Sequence, residues 1–230
     1  MHRFFVPFPL TTDLILTEEA IMHQLTRVLR AQVGEYIILF DGDGSETEYE
    51  IEKIEKKSVK LRWIKRRFPD TEAKKSIILY QALPNKIEKI EYILQKWVEV
   101  GIQKFIFFRS DRSQKLIISD SKIERFHVIV REAVEQCGGV KLPEIYFWWG
   151  IWGNDSAASH IVLDTVSLNR SLQECTNTQN IGLWVGPEWW WSDRERDEMR
   201  DNGFIFAHFS DRVMRTETAW VVVSFALLNA

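Results

Sequence analysis

Gly186-Pro187-Glu188-Trp189-Trp190-Trp191-Ser192, with Asp211-Arg212-Val213-Met214-Arg215-Thr216-Glu217-Thr218-Ala219 further on, carries the most structural information in this chain. It follows the apolar run Gly182-Leu183-Trp184-Val185, which has the composition of a buried strand. It leads into Ser192-Asp193-Arg194-Glu195, which has the capping-box spacing that starts a helix. Strand, glycine-bearing loop and capped helix together form one unit of an α/β sheet, whose ligands sit at the carboxyl ends of the strands. Three adjacent indoles, Trp189 to Trp191, stand in a loop where backbone recognition calls for the smallest residues.

The same rhythm extends to both sides. Strands are expected at Ser76 to Leu83, Phe105 to Phe108, Ile161 to Leu163 and Ile205 to Phe209. Helices are expected at Lys86 to Val100, with Ile87, Ile90, Leu94 and Trp97 on one side, and at Asp120 to Cys137, with Ile123, Phe126, Val130, Ala133 and Cys137 inward. A last helix is expected at Thr216 to Leu228. The alternation predicts a largely parallel sheet with helical crossovers.

Upstream, the period changes to that of antiparallel strands. Tyr36 to Phe40 runs into the turn Asp41-Gly42-Asp43-Gly44, after which Tyr49 and Ile51 alternate with Glu48, Glu50 and Glu52. Val59, Leu61 and Trp63 alternate with Lys60 and Arg62. This part is read as a small β-barrel with one helix, about Thr17 to Arg30, capped by Thr17. Arg66-Arg67-Phe68-Pro69-Asp70-Thr71-Glu72 separates the two rhythms, so the expected domains are residues 1–70 and 71–230.

Composition sets the outer limits. The 230 residues are 45% hydrophobic with a net charge of −3, enough for a substantial core and without a global nucleic-acid signature. Between Lys53 and Arg67, however, basic residues face the single acid Glu55. That stripe reads either as a phosphate-binding face or as a solubilising one. The N-terminus lacks a signal-peptide apolar run and no apolar stretch approaches the length of a membrane span, so a soluble, cytoplasmic protein is expected. Cys137 and Cys175 form no CxxC, and the five histidines show no ligand spacing, so neither a disulfide nor a metal is expected.

An ordered series of short motifs carries a family resemblance along nearly the whole chain. Arg3-Phe4-Phe5-Val6, Val28-Leu29-Arg30 with Gly34, and Asp41-Gly42 open it. Leu83-Pro84, Lys89, Gln95-Lys96, Glu99 with Gly101, Arg112-Ser113, Glu132-Ala133, Glu135-Gln136 and Leu142-Pro143 continue it. Gly186-Pro187-Glu188, Ser192, Arg212 and Arg215-Thr216-Glu217-Thr218-Ala219 close it. The chain resembles the SPOUT-class methyltransferases of the RsmE type, which methylate N3 of a uridine in 16S ribosomal RNA with S-adenosylmethionine. The resemblance implies an α/β domain with a trefoil knot, a rare exception to the rule against threaded loops, behind an N-terminal PUA-like β-barrel. It also implies a homodimer that acts on 16S rRNA or the small ribosomal subunit.

By the same resemblance the cofactor is held by Leu163, Gly186, Pro187, Glu188, Phe209, Ser210, Val213 and Met214. The uridine imide must lose its N3 proton as it attacks the methyl group, so a base or an anion stabiliser is required. Arg215, Glu188 and Glu217 are the catalytic candidates, with Arg215 favoured for the anion. Glu217 equally suits the first turn of the last helix. Arg3, Arg27, Arg30, Lys60, Arg62 and Arg112 are the candidates for RNA contact. Two departures stand apart from the tryptophans: Gly139 where the family tends to have arginine, and Ser210 where a glycine is usual.

Tryptophan stands at 97, 189, 190 and 220, where such proteins carry small residues, and the chain holds 10 tryptophans in all. Three readings follow. The indoles are stacking platforms for unpaired bases; or they fill the pocket of a catalytically inactive RNA-binding relative; or the gene reads UGA as glycine and these positions are glycine in the native protein. Trp63 and Trp191 suit their own positions and need no such explanation.

Overall fold

The computed structural model describes residues 1–148, 157, 159–164, 170–171, 178–187, 191–208, 214 and 216–229, without the side chains of 170, 171, 208, 216 and 217. They fall into two compact units, Met1–Glu72 with Val134–Leu142, and Ala73–Ala133 with Pro143–Ala230. The first unit thus takes in a nine-residue segment that a division near residue 70 assigns to the second.

In the first unit β1 (His2–Phe5), β2 (Asp13–Leu16), β3 (Tyr36–Phe40), β4 (Glu46–Ile54) and β5 (Val59–Arg67) form a sheet in the order β1-β3-β4-β5-β2. β3, β4, β5 and β2 pair antiparallel, while β1 pairs parallel to β3. Phe4 of one edge strand and Leu14 and Leu16 of the other share a core with Ile37, Leu39, Tyr49, Ile51 and Leu61, so the sheet curls around its apolar face. Buried Tyr49 donates its hydroxyl to the Thr11 carbonyl at 2.6 Å.

The expected helix is shorter and wider than its apolar spacing predicts. α1 (Glu19–His23) starts at Glu18 without a side-chain cap, so Thr17 does not cap it. It continues as a π-helix, Gln24–Val28, in which the Leu29 amide reaches the Gln24 carbonyl at 2.9 Å. The wide turn buries Leu25 but rotates Val28 outward to 62% exposure, where an α-helix would have kept it inside. Arg30 ends the segment at φ 54, a left-handed conformation uncommon for a residue with a β-carbon.

The outward face of β4 and β5 is an ion-pair ladder. Glu52 pairs with Lys60, Glu50 with Arg62, and Glu48 with Lys65 and Arg67. The antiparallel register sets Glu50 opposite Arg62 and Glu48 opposite Lys65.

In the second unit β6 (Ser76–Ala82), β7 (Lys104–Phe108), β8 (Glu144–Trp148), β9 (Ser159–Leu163), β10 (Arg170–Ser171), β11 (Asn180–Val185) and β12 (Ile205–His208) line up as β10-β12-β9-β11-β6-β7-β8. Every pairing among the described residues is parallel. The α/β reading therefore holds, with β8 an edge strand that the sequence rhythm did not single out.

The helices are α2 (Ile87–Val100), α3 (Asp120–Cys137), α4 (Asp193–Asp201) and α5 (Thr216–Leu228). α2 buries Ile90, Leu94 and Trp97 and stops at Gly101, whose φ of 104 only glycine adopts freely. At the end of α3, Cys137 is exposed instead of inward, because Val134 and Val140 take the buried places of that turn.

Candidate active site

Strand register brings three chain exits to one level. Leu163, the last residue of β9, lies opposite Val185 of β11 on one side and Ala207 of β12 on the other. The chain leaves β9 at Asp164 and β11 at Gly186 from the same carboxyl edge, while β12 runs one residue further, to His208 beside Ser171; ligands of parallel sheets bind at such an edge.

Trp191 fills the space beneath two of these exits. Its indole is 1% exposed, donates Nε1–H to the Leu163 carbonyl at 3.1 Å and lies parallel to Phe108 with ring centroids 6.0 Å apart. A β-carbon on Gly186 would stand 3.1 Å from the same indole, tighter than almost all real contacts. The glycine expected to admit a ligand is thus first required by the packing of Trp191.

The foot of α4 is tied down on both sides. Ser192 Oγ accepts from the Glu195 amide at 3.1 Å and the Ser192 amide donates to Glu195 Oε2 at 2.7 Å, completing the expected capping box. Glu195, fully buried, uses its other oxygen to accept from the Asp111 amide at 2.9 Å. Asp111 in turn accepts from Ser192 Oγ at 2.5 Å and from Arg194 Nε at 3.1 Å. The Arg194 bond, with that of Ser192, holds the Asp111 carboxyl below its ordinary pKa.

On the other side Arg196 Nε donates to Asp164 Oδ2 at 2.8 Å and Nη2 to Oδ1 at 3.3 Å, a two-pronged pair with both side chains buried. The pair places a compensated charge directly after β9. Nothing local in the sequence signals it, since its partners are 32 residues apart.

Of the expected cofactor residues, Leu163, Gly186 and Pro187 lie together at this edge by register and sequence, and half-buried Met214 precedes α5. Glu188, Trp189, Trp190, Phe209, Ser210, Val213, Arg212 and Arg215 lie outside the described residues; Glu217 falls in the first turn of α5, with its side chain also outside. Arg112 is exposed in the loop that Asp111 anchors.

The RNA candidates divide. The Arg3 side chain is only 15% exposed, pairs with Glu46 and donates to the Gly139 carbonyl at 2.8 Å, so its charge is engaged within the first unit. Gly139, where arginine was expected, supplies that carbonyl. Lys60 and Arg62 remain exposed but are matched by glutamates in the ladder. Arg27 and Arg30 are exposed on and just after the π-helix.

Among the described residues no group of three or more His, Cys, Asp or Glu could hold a metal ion, and no helix is long and apolar enough to cross a membrane.

Residues 71–228 match the RNA methyltransferase domain family, and residues 17–62 match the RNA methyltransferase PUA domain. The chain belongs to this RNA methyltransferase family. It is 29% identical over 213 residues to the ribosomal RNA small subunit methyltransferase E of Buchnera aphidicola, covering 89% of this chain and 83% of the relative. A second relative of that description, from Borreliella burgdorferi, is 27% identical over 94% of this chain and 91% of its own length. The structure of the Neisseria gonorrhoeae methyltransferase E bound to S-adenosyl methionine superposes with a TM-score of 0.87 at 26% identity, covering 100% of this chain and 97% of that one. A Legionella pneumophila methyltransferase in complex with the same cofactor gives 0.85 at 26% identity over 99% and 96%. For this RNA methyltransferase the α/β and PUA-like readings therefore hold over both ends of the chain.

Proposed function

We propose that this protein transfers the methyl group of S-adenosylmethionine to N3 of a uridine in small-subunit ribosomal RNA. The observation that carries the reading is the common level of Leu163, Val185 and Ala207 in the sheet, which sends three loops from one parallel edge. The groups there fit the cofactor: glycine backbone at Gly186 and the apolar Leu163 and Pro187 beside it.

Bound there, S-adenosylmethionine supplies an activated methyl group. The loops after Leu163, from Gly186 to Glu188 and from Phe209 to Met214 would hold it through their backbone. Arg215 stabilises the imide anion that forms as the uridine loses its N3 proton, and Glu188 or Glu217 receives that proton. Arg27, Arg30 and Arg112 position the RNA through phosphates, and Lys60 and Arg62 join only by giving up their glutamate partners. The enzyme works as a homodimer in the cytoplasm. The inactive, pocket-filled reading gains nothing from the family match, which spans the whole catalytic domain.

The test is a calorimetric titration of S-adenosylmethionine into the chain with its tryptophans, beside a version with glycine at 97, 189, 190 and 220. Binding by the glycine version, with methyl transfer to N3 of small-subunit rRNA, is the expected result. Absence of binding by both versions sinks the reading.

A further inference from the structure

The Trp191 side chain touches the carboxyl ends of β7, β9 and β11 together. It reaches Phe108 by a parallel ring contact at 6.0 Å, Leu163 by the 3.1 Å hydrogen bond to its carbonyl, and Gly186 by direct packing on a bare α-carbon. Each contact constrains something different. The hydrogen bond engages the Leu163 carbonyl at the end of β9. The ring fixes how closely the Gly186 backbone approaches, because any side chain there would meet the indole. The Phe108 contact sets the depth of the indole in the core it shares with Tyr80, Val162 and Trp184.

The residue is itself held from the far side. Ser192, its neighbour, is locked by the capping box, and the Asp111 and Arg196 bonds fix the start of α4. The indole is thus buried and held through the residue that follows it. Trp184, buried in the same core, instead donates to His160 Nδ1 at 2.9 Å.

We infer that Trp191 is a positioning residue for the cofactor: it sets the relative placement of the Leu163 and Gly186 loops without touching the reacting atoms. This rests on the proposed binding of S-adenosylmethionine at the same edge. A side chain that only stabilised the fold would affect unfolding and leave binding by the folded protein unchanged. One that sets loop placement changes affinity while the fold persists.

The experiment is W191F in the full chain, in whichever of the two backgrounds binds S-adenosylmethionine, followed by calorimetry and thermal unfolding. Phenylalanine keeps an aromatic ring and removes the donor to Leu163. The expected result is a dissociation constant raised about tenfold, which corresponds to about 1.4 kcal/mol, measured at a temperature where the variant is fully folded. G186A, which drives a methyl into the indole, is expected to weaken binding similarly, and the two changes together to cost less than their sum because they disturb one contact. An unchanged dissociation constant in W191F, with only the unfolding temperature lowered, overturns the inference. Absence of binding by the parent in both backgrounds overturns the proposed function first and this inference with it.

Discussion

The indoles of Trp97 on α2 and Trp220 on α5 lie with ring centroids 4.9 Å apart at an interplanar angle of 33°, and neither Nε1–H has an acceptor among the described residues. Both rings are buried. A buried donor without a partner costs about 1–3 kcal/mol, so this pair carries a penalty that Trp184 and Trp191, bonded to His160 and Leu163, do not.

That contrast predicts the outcome of peptide mass analysis of the protein from its native cells. Glycine is expected at 97, 189, 190 and 220, and tryptophan at 184 and 191. Tryptophan masses at 189 and 190 would refute the UGA reading and return the choice to the stacking or pocket-filling ones.

The buried pair between Arg196 and Asp164 carries its own prediction. Removing one partner of a buried ion pair leaves an uncompensated charge and costs about 3–5 kcal/mol. R196M and D164L are each expected to lower the urea midpoint substantially, while the double variant R196M/D164L recovers most of the loss. Equal losses in single and double variants would show that packing, not charge compensation, matters here.

Asp111 gives a pH dependence. Its pKa is lowered in the folded protein by the bonds from Arg194 and Ser192, so its contribution is present above the ordinary aspartate pKa of about 3.9. It is lost as pH falls through the lowered value. Urea unfolding at pH 7 and pH 3 is expected to show a larger loss for the parent than for D111N, which has nothing left to titrate there. The group is a third exposed, so the difference is small and shrinks in high salt.

The ion-pair ladder predicts which cations the RNA uses. Arg62 must leave Glu50 to bind phosphate, whereas Arg27 and Arg30 are exposed beside the π-helix. For binding to a small-subunit rRNA fragment, R27A and R30A are each expected to reduce the salt slope by about 0.7–0.9. R62A is expected to leave it nearly unchanged. A slope change confined to R62A would reverse this assignment.

Local sequence was enough wherever a local rule governs the outcome. Alternating Glu and Lys or Arg fixed the faces of β4 and β5, apolar runs fixed the parallel strands, and Ser192 with Glu195 fixed the start of α4. It failed where a longer-range demand overrides the local one. Leu25 and Ala31 had to be buried in the same core, so the helix widened and Val28 turned out. Cys137 gave up its expected burial to Val134 and Val140.

Period, turn chemistry and motif order are properties of neighbouring residues, so the two rhythms, the family resemblance and the loops expected to meet the cofactor could be read from the chain alone. Folding was needed to show that Arg3 is bonded to Glu46 and Gly139, that Lys60 and Arg62 are paired with glutamates, and that Trp191, Arg196 and Asp111 are bonded to Leu163, Asp164 and Ser192. Those roles are contacts between residues distant along the chain, and a side chain's charge or donor acquires its meaning from the group that folding places opposite it.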